Sequence, residues 1–95
     1  MIVKYKLPAP VPREDMAEAF ALAEEQFASL PGLVRKYFCY DEGAHCGHSV
    51  YLFTDQASAE AFFGPRFVLS MQEKFSTTPE VFGVDTVLVV DGPEA

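Results

Sequence analysis

The chain is short of cations, of cysteine and of any long apolar run, and each shortage removes a class of function. Seven lysines and arginines stand against fourteen acidic residues, a net charge of −7 with a pI near 4.6. That field repels polyanions, and no basic cluster interrupts it, so neither nucleic acid nor an anionic membrane is an expected partner. No stretch approaches the ~18 uninterrupted apolar residues of a spanning helix. Residues 1–10 lack the apolar centre of a secretory signal, so a cytoplasmic protein is expected. The only two cysteines, Cys39 and Cys46, are in that compartment expected as free thiols rather than a disulfide framework. Also missing are a Gly-rich phosphate loop, Gly-x-Ser-x-Gly and His-Glu-x-x-His, so no cofactor is implied by a motif. No repeat or low-complexity segment is present.

What the chain does have is apolar and aromatic material. Its 95 residues are 49% hydrophobic and 14% aromatic, with nine phenylalanines. A chain of this length makes one domain, residues 1–95, whose small core leaves much apolar surface in need of a partner or a ligand. Residues 2–7 alternate, Val3, Tyr5 and Leu7 against Lys4 and Lys6, and predict a strand. Pro8, Pro10 and Pro12 end it and lead into a helix, with Glu14 and Asp15 suited to the positive end of its dipole. From residue 13 to 30, Met16, Phe20, Ala23, Phe27 and Leu30 recur at helical spacing while the glutamates avoid that stripe. Pro31-Gly32 closes the helix. Residues 33–40 and 48–54 then read as a hairpin around the turn at 41–44. A helical crossover over 55–75, capped by Thr54 or Asp55 and broken at Gly64-Pro65, precedes a last strand over 81–90.

The order β-α-β-β-α-β is the ferredoxin-like α+β arrangement: a four-stranded antiparallel sheet with helices on one face. The opposite face is left bare. Some of Tyr37, Tyr51, Phe53 and the alternate residues of 84–90 would lie there, too apolar for water, so two sheets pressed together about a two-fold axis are expected, a dimeric α+β barrel.

The run Pro31-Gly32-Leu33-Val34-Arg35-Lys36-Tyr37 is followed after the hairpin by Val50-Tyr51-Leu52-Phe53-Thr54-Asp55 and an Ala-rich helix start. Together they resemble the YdhR-type mono-oxygenases of the dimeric α+β-barrel superfamily, and the order of elements matches over essentially the whole chain. The resemblance implies a homodimer with a ligand cavity between sheet and covering elements. It also admits a cofactor-independent oxygenase of polycyclic aromatic substrates, although the superfamily includes isomerases, haem enzymes and proteins without known activity.

Strand alternation places Arg35, Tyr37 and Cys39 on one side of the first hairpin strand and Ser49, Tyr51 and Phe53 on one side of the second. Taken as a single face, they are the expected pocket. Tyr51, Tyr37 and Arg35 are then candidates to hydrogen-bond a quinone-like or phenolate oxygen while oxygen reacts with the carbanion. Phe53, Ser49 and Cys39 would line the substrate. The bland alternative is that the tyrosines pack a dimer core with satisfied hydroxyls, Arg35 makes a salt bridge and Cys39 is a buried thiol. His48, at a strand start, is a better-fixed candidate base than His45 in the loop. His45, Cys46 and His48 match no closed metal-site spacing, so no metal is expected. Two functions follow: a cofactor-free mono-oxygenase of a small or polycyclic aromatic, or a non-catalytic dimeric protein that binds a small apolar ligand.

Overall fold

The computed structural model describes all 95 residues. Strand β1 (Ile2–Lys6) leads through the prolines to helix α1 (Arg13–Ala28), then β2 (Leu33–Asp41), β3 (Cys46–Phe53), α2 (Gln56–Phe62), α3 (Pro65–Phe75) and β4 (Glu80–Phe82). The strands form one antiparallel sheet in the order β2-β3-β1-β4. The fold is the expected α+β, ferredoxin-like arrangement, with the crossover split into two helices.

Each boundary has a local cause. Gly32, at φ +82, turns the chain out of α1 in the left-handed region, and a Cβ there would strike the Ser58 side chain. The Asp55 carboxylate accepts the Ser58 N–H at 2.7 Å and caps α2. The same bond holds its carboxyl below the usual range. Pro65 occupies the first turn of α3. Helix α1 has no side-chain cap of its own. Instead, Glu42 in the hairpin turn accepts the Arg13 N–H at 2.6 Å, while the Tyr40 hydroxyl donates to the Val11 carbonyl at 2.7 Å. The turn thus fastens the start of the helix to the sheet.

The core lies between the sheet and its helices: Val3, Tyr5, Leu7, Met16, Tyr51, Phe67 and Met71. Tyr5 pairs with Gly47 in the β1–β3 register, and its ring lies where a Cβ on Gly47 would stand. Only glycine lets the two strands keep their spacing under that ring. Burial pushes the Tyr5 phenol up to about 12, with Cys46 and Tyr40 adding to the effect.

Two expectations need correction. The final strand covers only Glu80–Phe82 rather than 81–90. Antiparallel pairing sets Phe82 opposite Ile2, the first residue of β1, so the chain beyond it meets no neighbouring strand. Val84, Val87, Leu88, Val89 and Val90 are 59–94% exposed. The second correction concerns Cys39, which is exposed, while Cys46 is buried; both are free thiols.

Candidate active site

The two faces of the sheet differ more than alternation along single strands suggested. Lys36 pairs with Tyr51 and Phe38 with Ser49, whereas Tyr37 pairs with Val50 and Arg35 with Leu52. Directly paired residues point to the same face. Ser49 and Tyr51 therefore share the helix-covered side with Lys36 and Phe38. Arg35, Tyr37 and Cys39 are on the open side. Each strand alternates as expected, but the pocket face of β3 faces the same way as the opposite set in β2. An irregularity between Leu33 and Arg35 also brings Leu33 level with Phe53.

The site residues inferred from the sequence thus divide. Tyr51 and Ser49 are 4% exposed and line a cavity between the sheet and the helices. Phe53 lies on the same face but does not line the cavity: it stacks on Tyr51 with centroids 6.2 Å apart and meets Phe63 edge-on at 6.1 Å. Arg35 and Tyr37 sit outside, the guanidinium donating to the Tyr37 hydroxyl at 3.3 Å in solvent. That contact, rather than a salt bridge, raises the pKa of Arg35. His48 and Cys39 are paired neighbours on the open face. Neither Tyr51 nor Phe53 belongs to the bare face, because both are covered by the helices.

The cavity lies between the sheet and its helices, where α1 and α2 meet through Phe27 and Phe62 with ring centroids 5.7 Å apart. Its volume is about 850 Å³, in the range of sites for small organic ligands. Phe20 and Phe27 of α1, Phe38 of β2, and Phe62, Phe67 and Phe75 of the crossover supply aromatic walls. Tyr51 is built into this wall: its ring meets Phe63 edge-on at 4.9 Å and Phe62 at 5.7 Å. Burial, with the phenol of Tyr5 nearby, drives the Tyr51 hydroxyl well above the ordinary tyrosine range, and Ser49 acts in the opposite direction. Tyr51 is consequently a neutral hydrogen-bond donor over the physiological range.

Lys36, which the sequence pattern did not single out, also lines this cavity. Its Nζ lies 3.4 Å from the centroid of Phe27, 3.8 Å from Phe38 and 4.5 Å from Tyr51. Removal from water pushes the amine down to about 7, and Lys74 across the cavity adds to the shift. A signal was present in the Arg35-Lys36 pair: adjacent residues of a strand point to opposite faces, so one of the two cations had to point beneath the helices.

The profile of the family described as putative mono-oxygenase YdhR matches residues 1–88. The chain belongs to this family. No curated protein matches it. In this YdhR-family member no helix is long and apolar enough to cross a membrane.

Proposed function

We propose that the protein is a mono-oxygenase that binds a small or polycyclic aromatic in the sheet–helix cavity and works without a cofactor, as a homodimer. The observation that carries this reading is an 850 Å³ aromatic-walled cavity in a chain whose family is described by that activity. The flat rings of Phe27, Phe38 and Phe62 suit a flat substrate. Tyr51, kept neutral by burial, would donate to a developing oxyanion on the substrate, with Ser49 beside it. An activated ring CH2 loses one proton to solvent and leaves a carbanion, which adds molecular oxygen and regains a proton to form a hydroperoxide. Loss of the second C–H proton with cleavage of the O–O bond then leaves a ring carbonyl and releases water.

A second copy of the chain is the proposed partner of the open face. Tyr37, Val50, Ile2 and Phe82 follow one another across all four strands there, each 38–52% exposed. With 12 of 95 residues buried, the chain alone leaves that row in water, and a two-fold pair covers it with its own equivalent.

Oxygen uptake by the purified protein in air, against a panel of anthrone-like and quinol substrates, tests the activity. Substrate-dependent consumption with carbonyl formation is expected. Silence across the panel, with ligands still raising the melting temperature, would favour the second reading, a non-catalytic binding protein. That reading draws on a cavity wall in which no carboxylate or histidine appears.

A further inference from the structure

The cavity is a positively charged concavity on an acidic molecule. Lys36, Arg66 and Lys74 line it, and no aspartate or glutamate does, although acids outnumber basic residues two to one in the chain. Buried or half-buried cations are ordinarily paired with a carboxylate. Lys36 is not: the only charged group acting on it is Lys74, of like sign. From α1 it faces Phe27; Glu24 of the same helix lines a smaller neighbouring groove together with Lys36 and Arg35, but forms no ion pair with Lys36. From β3 it faces Tyr51, and from α3 Lys74 and Arg66. Ring faces attract an ammonium, but more weakly than the water they displace.

We propose that the ligand of this cavity is a flat aromatic bearing one acidic oxygen, a carboxylic acid or a phenol, and that the Lys36 amine is the partner of that oxygen. The proposal rests on the reading of the cavity as the substrate site and narrows it to a chemical class. A carboxylate enters already ionised, and Nζ takes up a proton from solvent to pair with it. A phenol brings its own proton, which moves from oxygen to Nζ. Either way an ammonium and an oxyanion remain, no electron is transferred, and the aromatic cage around Nζ excludes competing water from the pair.

Calorimetric titration of the full chain with naphthoate, naphthol and the neutral naphthalenemethanol tests this. It is run at about pH 8, above the amine's pKa of about 7, in two buffers of different ionisation enthalpy. The acid or the phenol should bind roughly ten- to a hundredfold tighter than the alcohol. Naphthoate should take up close to one proton and naphthol almost none; whichever of the two binds tighter identifies the native oxygen. Lys36→Met should remove both the preference and the uptake while the alcohol still binds. Lys36→Arg, whose charge is permanent, should keep the preference without the uptake. Equal affinity for all three probes, with no proton uptake, overturns the role of Lys36 and leaves the aromatic site standing. Failure of every probe to bind overturns both.

Discussion

On the helix-covered face of the sheet, Lys36 lies over two phenylalanine rings in a cavity. One residue earlier, Arg35 meets the Tyr37 hydroxyl in open solvent. The same contrast divides the tyrosines: Tyr51 is 4% exposed and Tyr37 51%. Two chemically similar cation–tyrosine sets therefore have different prospects, because only one has water excluded from it. Low local dielectric strengthens every charge and hydrogen bond on the inner face and screens little of it, whereas solvent makes the outer pair nearly worthless. The inner face is suited to chemistry. The outer face presents the exposed apolar row of Tyr37, Val50, Ile2 and Phe82.

The most drastic way to break this division is to separate the strands beneath it. Gly47→Val sets a branched side chain where the Tyr5 ring lies, and overpacking of this kind costs about 2–3 kcal/mol. Thermal denaturation should show a fall on the order of 10 °C, and a melting temperature within a degree or two of the parent would show that the ring moves aside freely.

A subtler change isolates the outer face. Val50→Asp puts a carboxylate in the middle of the apolar row, where pairing with a second sheet would bury it at a cost of several kcal/mol by order of magnitude. Light scattering at low micromolar concentration should find the parent dimeric and the variant monomeric but folded. A folded monomer for both would remove the barrel arrangement and leave the cavity untouched.

The two tyrosines can then be compared directly on a substrate returned by the oxygen-uptake screen. Tyr51→Phe removes a buried donor and should slow turnover roughly ten- to a hundredfold, about 1–3 kcal/mol in the barrier, with a small change in melting temperature. Tyr37→Phe, on the open face, should leave turnover unchanged. Equal effects would mean the faces do not differ as described.

The smallest effect is a pH dependence of stability. The amine of Lys36 titrates at about 7 when folded against 10.5 for an ordinary lysine, so between these the unfolded chain holds more protons. Stability accordingly rises with pH through that window and is lost as pH falls from 10.5 towards 7. The raised tyrosines oppose this only above about pH 10. Melting temperatures measured from about pH 7 to 9.5 should climb in the parent, and more shallowly in Lys36→Met, which has no proton to lose. Parallel curves would show that Lys36 is solvated.

Much of the fold was legible because it is written in local patterns. The stripe Met16-Phe20-Ala23-Phe27 and the stop at Pro31-Gly32 marked α1, and Asp55 and Gly64-Pro65 marked the crossover and its break. Alternation correctly divided each hairpin strand into two faces. It could not say which faces coincide, because that depends on the register around the turn and on the irregularity after Leu33, both of which are properties of a strand pair. This is why the sequence groups Tyr51 and Ser49 with Arg35, Tyr37 and Cys39 instead of with Lys36 and Phe38, which share their face. The strand expected at 84–90 failed for a related reason: its β-rich composition is real, but a strand needs a neighbour, and β1 offers none past Ile2. Neither could the sequence show that Glu42 caps a helix 29 residues away.

Amide chemical-shift mapping of the isotope-labelled protein during titration with naphthol tests most directly whether the helix-covered face is the site. The account predicts shifts concentrated at Lys36, Phe38, Ser49 and Tyr51 and in the cavity-facing turns of α1 and α3, with Tyr37, Cys39, His48 and Val50 undisturbed beyond what their neighbours transmit. Shifts centred on Arg35, Tyr37 and Val50, with the cavity residues silent, would place the ligand on the open face and contradict it.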